Sequence, residues 1–310
     1  MLVSMASFIL PNPALVRAVR LRRTAAQLSR YAARGNTVNQ ALNQRAIAQE
    51  MKAAQDQGRQ IEPFTSRLSG FDDALAYEVS HLIHEARINE GAVPVGRKIG
   101  FTNPGMWSLY GVRGPVWAYV YDTTVVHLSA ARAKCHIGRF SEPKIEPEIV
   151  VHFRSAPPVS DDLAEILACV DWIAHGIEIV QSHFPGWKFQ AADTIADCAL
   201  HGTLLVGEPQ DARRLGADLT TALKCFAVTL SCDGKVREVG TGSNVLGSPL
   251  AAIAHLLAVM AKQPQAMPLQ ANELVTTGTL TPALPIHAGE TWSTELNGIA
   301  LAGICVQFVA

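Results

Sequence analysis

Glu146 and Glu148 stand two positions apart in Ser141-Glu-Pro-Lys-Ile-Glu-Pro-Glu-Ile-Val-Val-His-Phe153, where the run from Ile149 to Phe153 reads as a buried strand. Residues i and i+2 of a strand project from one face, about 7 Å apart between Cα atoms, so the two carboxylates point together. Pro147 faces the other way and is expected to keep this strand end from pairing as a central one. Two carboxylates at the mouth of an apolar strand repel each other and lose hydration. A hard divalent cation such as Mg²⁺ or Mn²⁺ takes carboxylate oxygens at about 2.0–2.1 Å and compensates both. Two glutamates in water at a solvated strand end are the plain alternative. Glu178, inside Gly176-Ile-Glu-Ile-Val180, is a third carboxylate that is costly to bury unless something pairs with it. It is the natural third ligand.

Other residues with chemistry sit on glycine-rich or turn segments. Lys98, in Gly96-Arg-Lys-Ile-Gly100-Phe-Thr102, is flanked by glycines that allow close backbone approach and a tight cavity for an ammonium. Asp122 lies in the turn after the strand-like Val116–Tyr121. Asp193, Asp197 and His201 recur at four-residue spacing, so one helix would carry all three on one face; a capping role for Asp193 stands beside a catalytic one. Glu273–Pro282 reads as a strand running into Gly278 with hydroxyls on both sides, which suits a small anionic ligand. Gly240–Gly247 lacks both G-x-G-x-x-G and G-K-[ST] and is a turn, not a phosphate loop.

The elements that position these residues follow from periodicity. Ala41, Leu42, Ala46, Ile47 and Met51 mark a helix from Val38 that ends at Gly58, and Ile61–Phe64 reads as an extended link. A second helix runs from Phe71–Asp73 to Asn89, with Ala74, Tyr77, Leu82 and Ala86 expected against the first. Asp161–Ala174 reads as a further helix capped by Ser160 or Asp161. Asp233-Gly234 predicts a type I′ hairpin between Phe226–Cys232 and Lys235–Val239. Pro249 opens an apolar helix to Lys262, and Ile304–Val309 is a last strand. The expected organisation is a basic arm or leader over 1–36, a helical lead-in over 37–95, and a catalytic body over 96–310.

Composition bounds the function. Apolar residues make up 48% of the 310 and charged residues 17%, as in ordinary globular proteins. A net charge of -1 argues against generic nucleic-acid binding. The apolar run Pro249–Ala261 is too short to cross a bilayer, so no membrane partner is expected. The six cysteines form no C-x-x-C pair and read as reduced core residues of a cytoplasmic protein. The first 49 residues carry seven arginines and no acidic residue, which also has the composition of an organelle presequence.

Seven segments occur in the order of one group: G-R-K-I-G-F-T (96–102), Y-D-T-T (121–124), I-E-P-E-I (145–149), G-I-E-I-V (176–180), D-T-I-A-D (193–197), V-L-G-S-P-L (245–250) and T-G-T-L-T…A-G-E (277–290). From near residue 40 to the end, the chain resembles the 2-oxopent-4-enoate hydratase / 4-oxalocrotonate decarboxylase group of the fumarylacetoacetate-hydrolase superfamily. The resemblance implies an α+β fold: a small helical N-terminal part plus a mixed β-roll, commonly a homo-oligomer. It implies a Mg²⁺ or Mn²⁺ held by Glu146, Glu148 and Glu178, with Lys98 and Asp122 beside the substrate and Thr279 at its carboxylate. The substrate would be a 2-oxo or 2-hydroxy-dienoate of aromatic meta-cleavage catabolism, and the reaction hydration or decarboxylation. A C–C hydrolase and a weakened keto-acid binder are the rivals; the hydrolase needs a His-Glu pair, and only His81, His84 and Glu85 stand in the lead-in segment. Where the family commonly reads D-x-x-A-D-N-A-S, this chain has Cys198 and Leu200 at the Asn and Ser positions. Leu200 is expected to turn a polar contact into an apolar wall and favour longer or alkylated substrates.

Overall fold

Turn residues divide the chain into a helical segment and two sheets, and the computed structural model describes residues 38–110, 112–129, 132–216 and 218–310. The basic arm expected over 1–36 lies outside the described residues. Gln44–Ala310 form one compact unit. Helix α1 (Val38–Gln57) stops at Gly58, which takes the left-handed φ of 59°. A short α2 (Phe64–Arg67) closes the link read as extended. Helix α3 (Asp73–Asn89) begins at Asp72, whose carboxylate accepts the Leu75 N–H.

Its buried residues are Ala76, Val79, Ile83 and His84, not the stripe Ala74, Tyr77, Leu82 and Ala86. The helix lies between two partners. Ala76, Val79 and Ile83 meet Met51, Ala54 and Phe64, while Tyr77 stacks on Trp117 at 5.7 Å.

The strands are β1 (Pro94–Gly100), β2 (Val116–Tyr121), β3 (Val125–His127), β4 (Arg132–His136), β5 (Lys144–Phe153), β6 (Val170–Val180) and β7 (His201–Val206). They continue as β8 (Gln210–Asp211), β9 (Ala227–Cys232), β10 (Lys235–Thr241), β11 (Leu274–Thr276), β12 (Leu284–Pro285), β13 (Thr291–Asn297) and β14 (Cys305–Val309), with the short helices α4 (Trp107–Tyr110) and α7 (Leu219–Cys225) between them. Among the described residues one sheet runs β2-β1-β11-β5-β6-β7-β3, with β12 on β5 and β8 on β6; the other runs β10-β9-β13-β14-β4. The pairs β1–β11, β3–β7 and β4–β14 are parallel and the rest antiparallel. The fold is therefore α+β with mixed sheets, as expected.

Two further readings change. The helix read over 161–174 is only α5 (Leu163–Ala168), capped by Asp162. Val170–Ala174 instead open the eleven-residue β6 and pair with Val150–Phe153, where β-branched and aromatic side chains fit a pleated surface. Pro147 does not keep its strand end from central pairing. It sits opposite Ile177 of β6, and its other edge falls in the gap between β11 and β12, where its carbonyl accepts the Leu280 N–H. The missing proline N–H thus costs no regular ladder bond.

The odd-numbered face of β5 is core. Ile149, Val151 and Phe153 pack with Ile253 and Leu257 of α8 (Pro249–Met260), and Ile145, Ile177 and Ile179 pack with Leu230, Trp292 and Phe308 of the second sheet. Helix α8 starts with Ser248 capping the Ala251 N–H and Pro249 in the first turn. The window Gly242–Met260 is apolar enough to span a bilayer by composition, but seven side chains of its helix are buried in this core. The hairpin turn at Asp233 (φ 48°) and Gly234 (φ 75°) is left-handed at both positions, as type I′ requires.

Candidate metal centre and active site

The register of β5 and β6 builds the acidic cluster. Glu146 pairs directly with Glu178, and Glu148 follows two residues on, so all three side chains share the face opposite the core. Lys98 of β1 pairs with Thr276 of β11, which pairs with Val150 of β5. By the same alternation Lys98 and Thr276 rise from that face too. Ligand oxygens of the three glutamates lie within 4.8 Å of one another.

Each buried carboxylate has one oxygen tied and one free. Glu148 Oε2 accepts from the Thr276 hydroxyl and from the Gly278 N–H at 2.7 Å. Glu178 Oε1 lies 2.9 Å from Lys98 Nζ and 2.6 Å from His201 Nδ1. Glu148 Oε1 and Glu178 Oε2 are buried without a hydrogen-bond partner, a costly state for a carboxylate oxygen. The charges say the same. Burial pushes the Glu146 carboxyl up to about 7, with Lys98 opposing and Glu178 adding. Glu148 is pushed well above its ordinary value by burial, then by Glu178 and Glu146. Burial would raise Glu178 as well, but Lys98 and His201 outweigh it and hold it at about 2. Burial would lower Lys98, and the three glutamates win and keep it above its ordinary value. Three carboxylates and one ammonium leave two negative charges, which one divalent cation neutralises. The donor set is all oxygen, as Mg²⁺ and Mn²⁺ prefer. The residues fit the metal.

A pocket opens on this cluster, lined by Lys98, Glu146, Thr102, Thr279, Leu200 and Trp187 among others. Thr279 Oγ1 donates to the Thr281 carbonyl at 2.7 Å, which places it on the pocket wall through a local turn. The structure does not bring Asp122 to the cluster. It is exposed, and its carboxylate accepts the Val93 N–H at 2.9 Å. Its neighbour Thr124 is nearer: Thr124 Oγ1 lies 2.8 Å from His201 Nε2, so a Thr124–His201–Glu178 chain runs behind the carboxylates.

The single helix carrying Asp193, Asp197 and His201 does not form. Helix α6 is Ala191–Ala196, and Cys198, Ala199 and Leu200 then take φ of 49°, 51° and 64°. A left-handed backbone costs roughly 1–2 kcal/mol per non-glycine residue, and hydrogen bonds hold it: Leu200 N–H donates to Asp197 O and Leu200 O accepts the Gln181 N–H. Asp193 closes a capping box and accepts from Thr65, the capping reading. Asp197 is bound by the buried His183 ring at 2.8 Å. His201 is freed onto β7 and reaches Glu178. Of the two departures, Leu200 lines the pocket, while Cys198 Sγ accepts from Gln55 of α1. His84, a candidate for a hydrolase pair, is buried under Tyr119 and bonded to the Tyr121 hydroxyl.

Sequence reasoning missed Thr102, whose buried hydroxyl lines the pocket and has no partner. It also missed Thr124 and Trp187, and it read Thr276 only among the hydroxyls around Gly278, not as a partner of Glu148. Position in G-F-T beside Lys98 could have flagged Thr102; the Thr276 bond to Glu148 depends on the pairing of β11 with β5, and Thr124 and Trp187 sit in turns brought to the site by segments far apart in the chain.

The fumarylacetoacetate (FAA) hydrolase C-terminal family matches residues 115–307. A 2-keto-4-pentenoate hydratase of Dechloromonas aromatica (strain RCB) is 31% identical over 255 residues, covering 82% of this chain and 94% of its own. A 4-oxalocrotonate decarboxylase of Pseudomonas sp is 29% identical over 261 residues, with 82% and 94% covered. The structure of 4-oxalocrotonate decarboxylase from Pseudomonas putida G7, complexed with magnesium and adipate, matches with a TM-score of 0.79 at 24% identity. That match covers 89% of this chain and 100% of the other, and it speaks for the fold.

Proposed function

The chain belongs to the fumarylacetoacetate-hydrolase family, and from that premise we propose that it is a divalent-metal-dependent hydratase acting on a 2-hydroxy-2,4-dienoate or its 2-oxo-alkenoate form. The observation that carries this reading is the one-faced cluster of Glu146, Glu148 and Glu178 with Lys98 at the head of a pocket. Relatives named as hydratases and as decarboxylases both support a lyase.

Glu146, Glu148 and Glu178 would hold the metal, and the bound cation supplies positive charge where negative charge collects on the substrate's 2-oxygen. The protein's own groups do the rest. Lys98 is protonated and buried, so it acts as an acid toward the conjugated chain. A proton delivered to the terminal carbon, with loss of the 2-hydroxyl proton, converts the dienol to a conjugated 2-oxo-3-enoate. Water then adds at carbon 4 and a proton at carbon 3. The free Thr102 hydroxyl and Thr279 offer hydrogen bonds to the carboxylate, and Thr276, Gly278 and His201 keep Glu148 and Glu178 aimed. Asp122, on the Val93 N–H, takes no part in this scheme.

The test is loss of the dienoate absorbance, with chelator and with Mg²⁺ or Mn²⁺ restored, beside CO₂ release from the corresponding enedioate. Metal-dependent consumption of the dienoate without CO₂ is expected. CO₂ release as the faster reaction would make the protein a decarboxylase, and no turnover of either would leave a binder.

A further inference from the structure

Part of the pocket lining is apolar and built against conformational preference. Phe101, Trp187 and Leu200 come from three separate segments, the end of β1, the turn after β6 and the turn before β7. All three have left-handed backbone, with φ of 56°, 58° and 64°. Non-glycine residues in this region persist only where their surroundings hold them, and they gather at functional sites. Each is held. Trp187 Nε1 donates to the Glu142 carbonyl at 3.0 Å, and the Lys144 ammonium lies 3.7 Å over its ring. Phe101 O accepts from Trp107 Nε1 at 2.8 Å, and Leu200 is pinned through both its N–H and its carbonyl. Val180, Pro282 and Ala283 continue the surface. Among the described lining residues Lys98 is the sole cation, and it is engaged with Glu178.

We propose that Phe101, Trp187 and Leu200 form a specificity wall for an apolar substituent, so that the substrate is an alkyl- or aryl-bearing 2-oxo/2-hydroxy-dienoate monoanion and a dicarboxylate is disfavoured. The proposal rests on the hydratase reading, because that reading puts the substrate's charged end on the metal and leaves the far end for the wall. A second carboxylate at that end would lose its hydration against three apolar side chains, and the nearby Lys144 lies over the Trp187 ring and is not among the lining residues.

Unreactive saturated 2-oxo acids test the wall without requiring turnover. Pyruvate, 2-oxobutanoate, 2-oxopentanoate and 2-oxohexanoate are titrated into the Mg²⁺-loaded protein by calorimetry, with 2-oxohexanedioate as the charged counterpart of the last. Affinity should tighten about fourfold per methylene buried, and the dicarboxylate should bind at least about tenfold more weakly than 2-oxohexanoate, the loss expected when a charge meets an apolar wall. In Trp187→Ala, and separately in Leu200→Ser, the ratio of 2-oxohexanoate to pyruvate affinity should fall by about tenfold, the scale of one or two lost methylene contacts. Melting curves of both variants check that the fold is kept. Affinity flat across the series, equal binding of the dicarboxylate, or an unchanged ratio in both variants overturns the wall while leaving the metal-site reading intact. Failure of every 2-oxo acid to bind, with or without Mg²⁺, overturns both.

Discussion

At the scale of single residues, the two orphaned carboxylate oxygens decide what the site wants. Glu148 Oε1 and Glu178 Oε2 are the atoms that a cation would satisfy, so Glu178→Gln should weaken Mg²⁺ or Mn²⁺ binding measured by calorimetry. Unchanged affinity in that protein contradicts the ligand assignment. His201 acts behind Glu178, and loss of such an outer partner typically weakens metal binding about 10- to 100-fold. His201→Ala is therefore expected to lose metal affinity on that scale, with the same titration as readout. Lys98→Met keeps the stem and removes the charge. It should stay folded and lose at least about 10²-fold in kcat, the usual scale of an acid/base group, and near-normal turnover would reduce Lys98 to a structural charge. The three glutamates and Lys98 were legible because strand alternation and the cost of a buried charge act locally. His201 was not, since its role depends on three consecutive left-handed residues after Asp197 that no periodicity announces.

At the scale of elements, the segment after β11 is fitted to its neighbours by one glycine. Gly278 has φ 98°, its N–H donates to Glu148, and a Cβ there would sit 1.8 Å from Thr102 Oγ1. Gly289 has the same φ with nothing within 4 Å. Gly289→Ala should lose only the left-handed penalty, about 1–2 kcal/mol. Gly278→Ala should lose more and weaken metal binding as well, because the strand end must shift away from Glu148. Urea unfolding of the pair isolates the clash, and equal losses would show that the segment yields freely. Helix ends were legible where a side chain caps them, as at Asp72 and Ser248. The helix read through Ala174 failed because Val170, Trp172 and Ile173 answer to their partners on β5, which lie some twenty residues earlier in the chain.

At the scale of the whole molecule, burial of ionisable groups ties stability to acidity. His84 is pushed down to about 3 by burial, then by Arg97 and His81, under Tyr119 and against the Tyr121 hydroxyl. Between that value and the ordinary 6.5 the unfolded chain binds a proton that the folded chain refuses. Stability from this group is present above 6.5 and falls as pH falls through it, by at most about 1.4 kcal/mol per pH unit. Urea midpoints at saturating Mg²⁺ should therefore drop less between pH 7 and pH 5 in His84→Gln than in the parent; parallel curves would show that His84 titrates freely. The parallel pairing of β1 with β11 has a further consequence, in the order of events during synthesis. On one edge Gly96–Lys98 pair with the nearby β2, but on the other they find their partners only at Leu274–Thr276, and Glu148 receives its N–H from Gly278. Pairings so far apart in sequence close late and slowly. A ribosome-bound chain halted before residue 274 has all three glutamates and Lys98 outside but lacks the strand that joins them, so it waits with its central sheet open and exposed to chaperones.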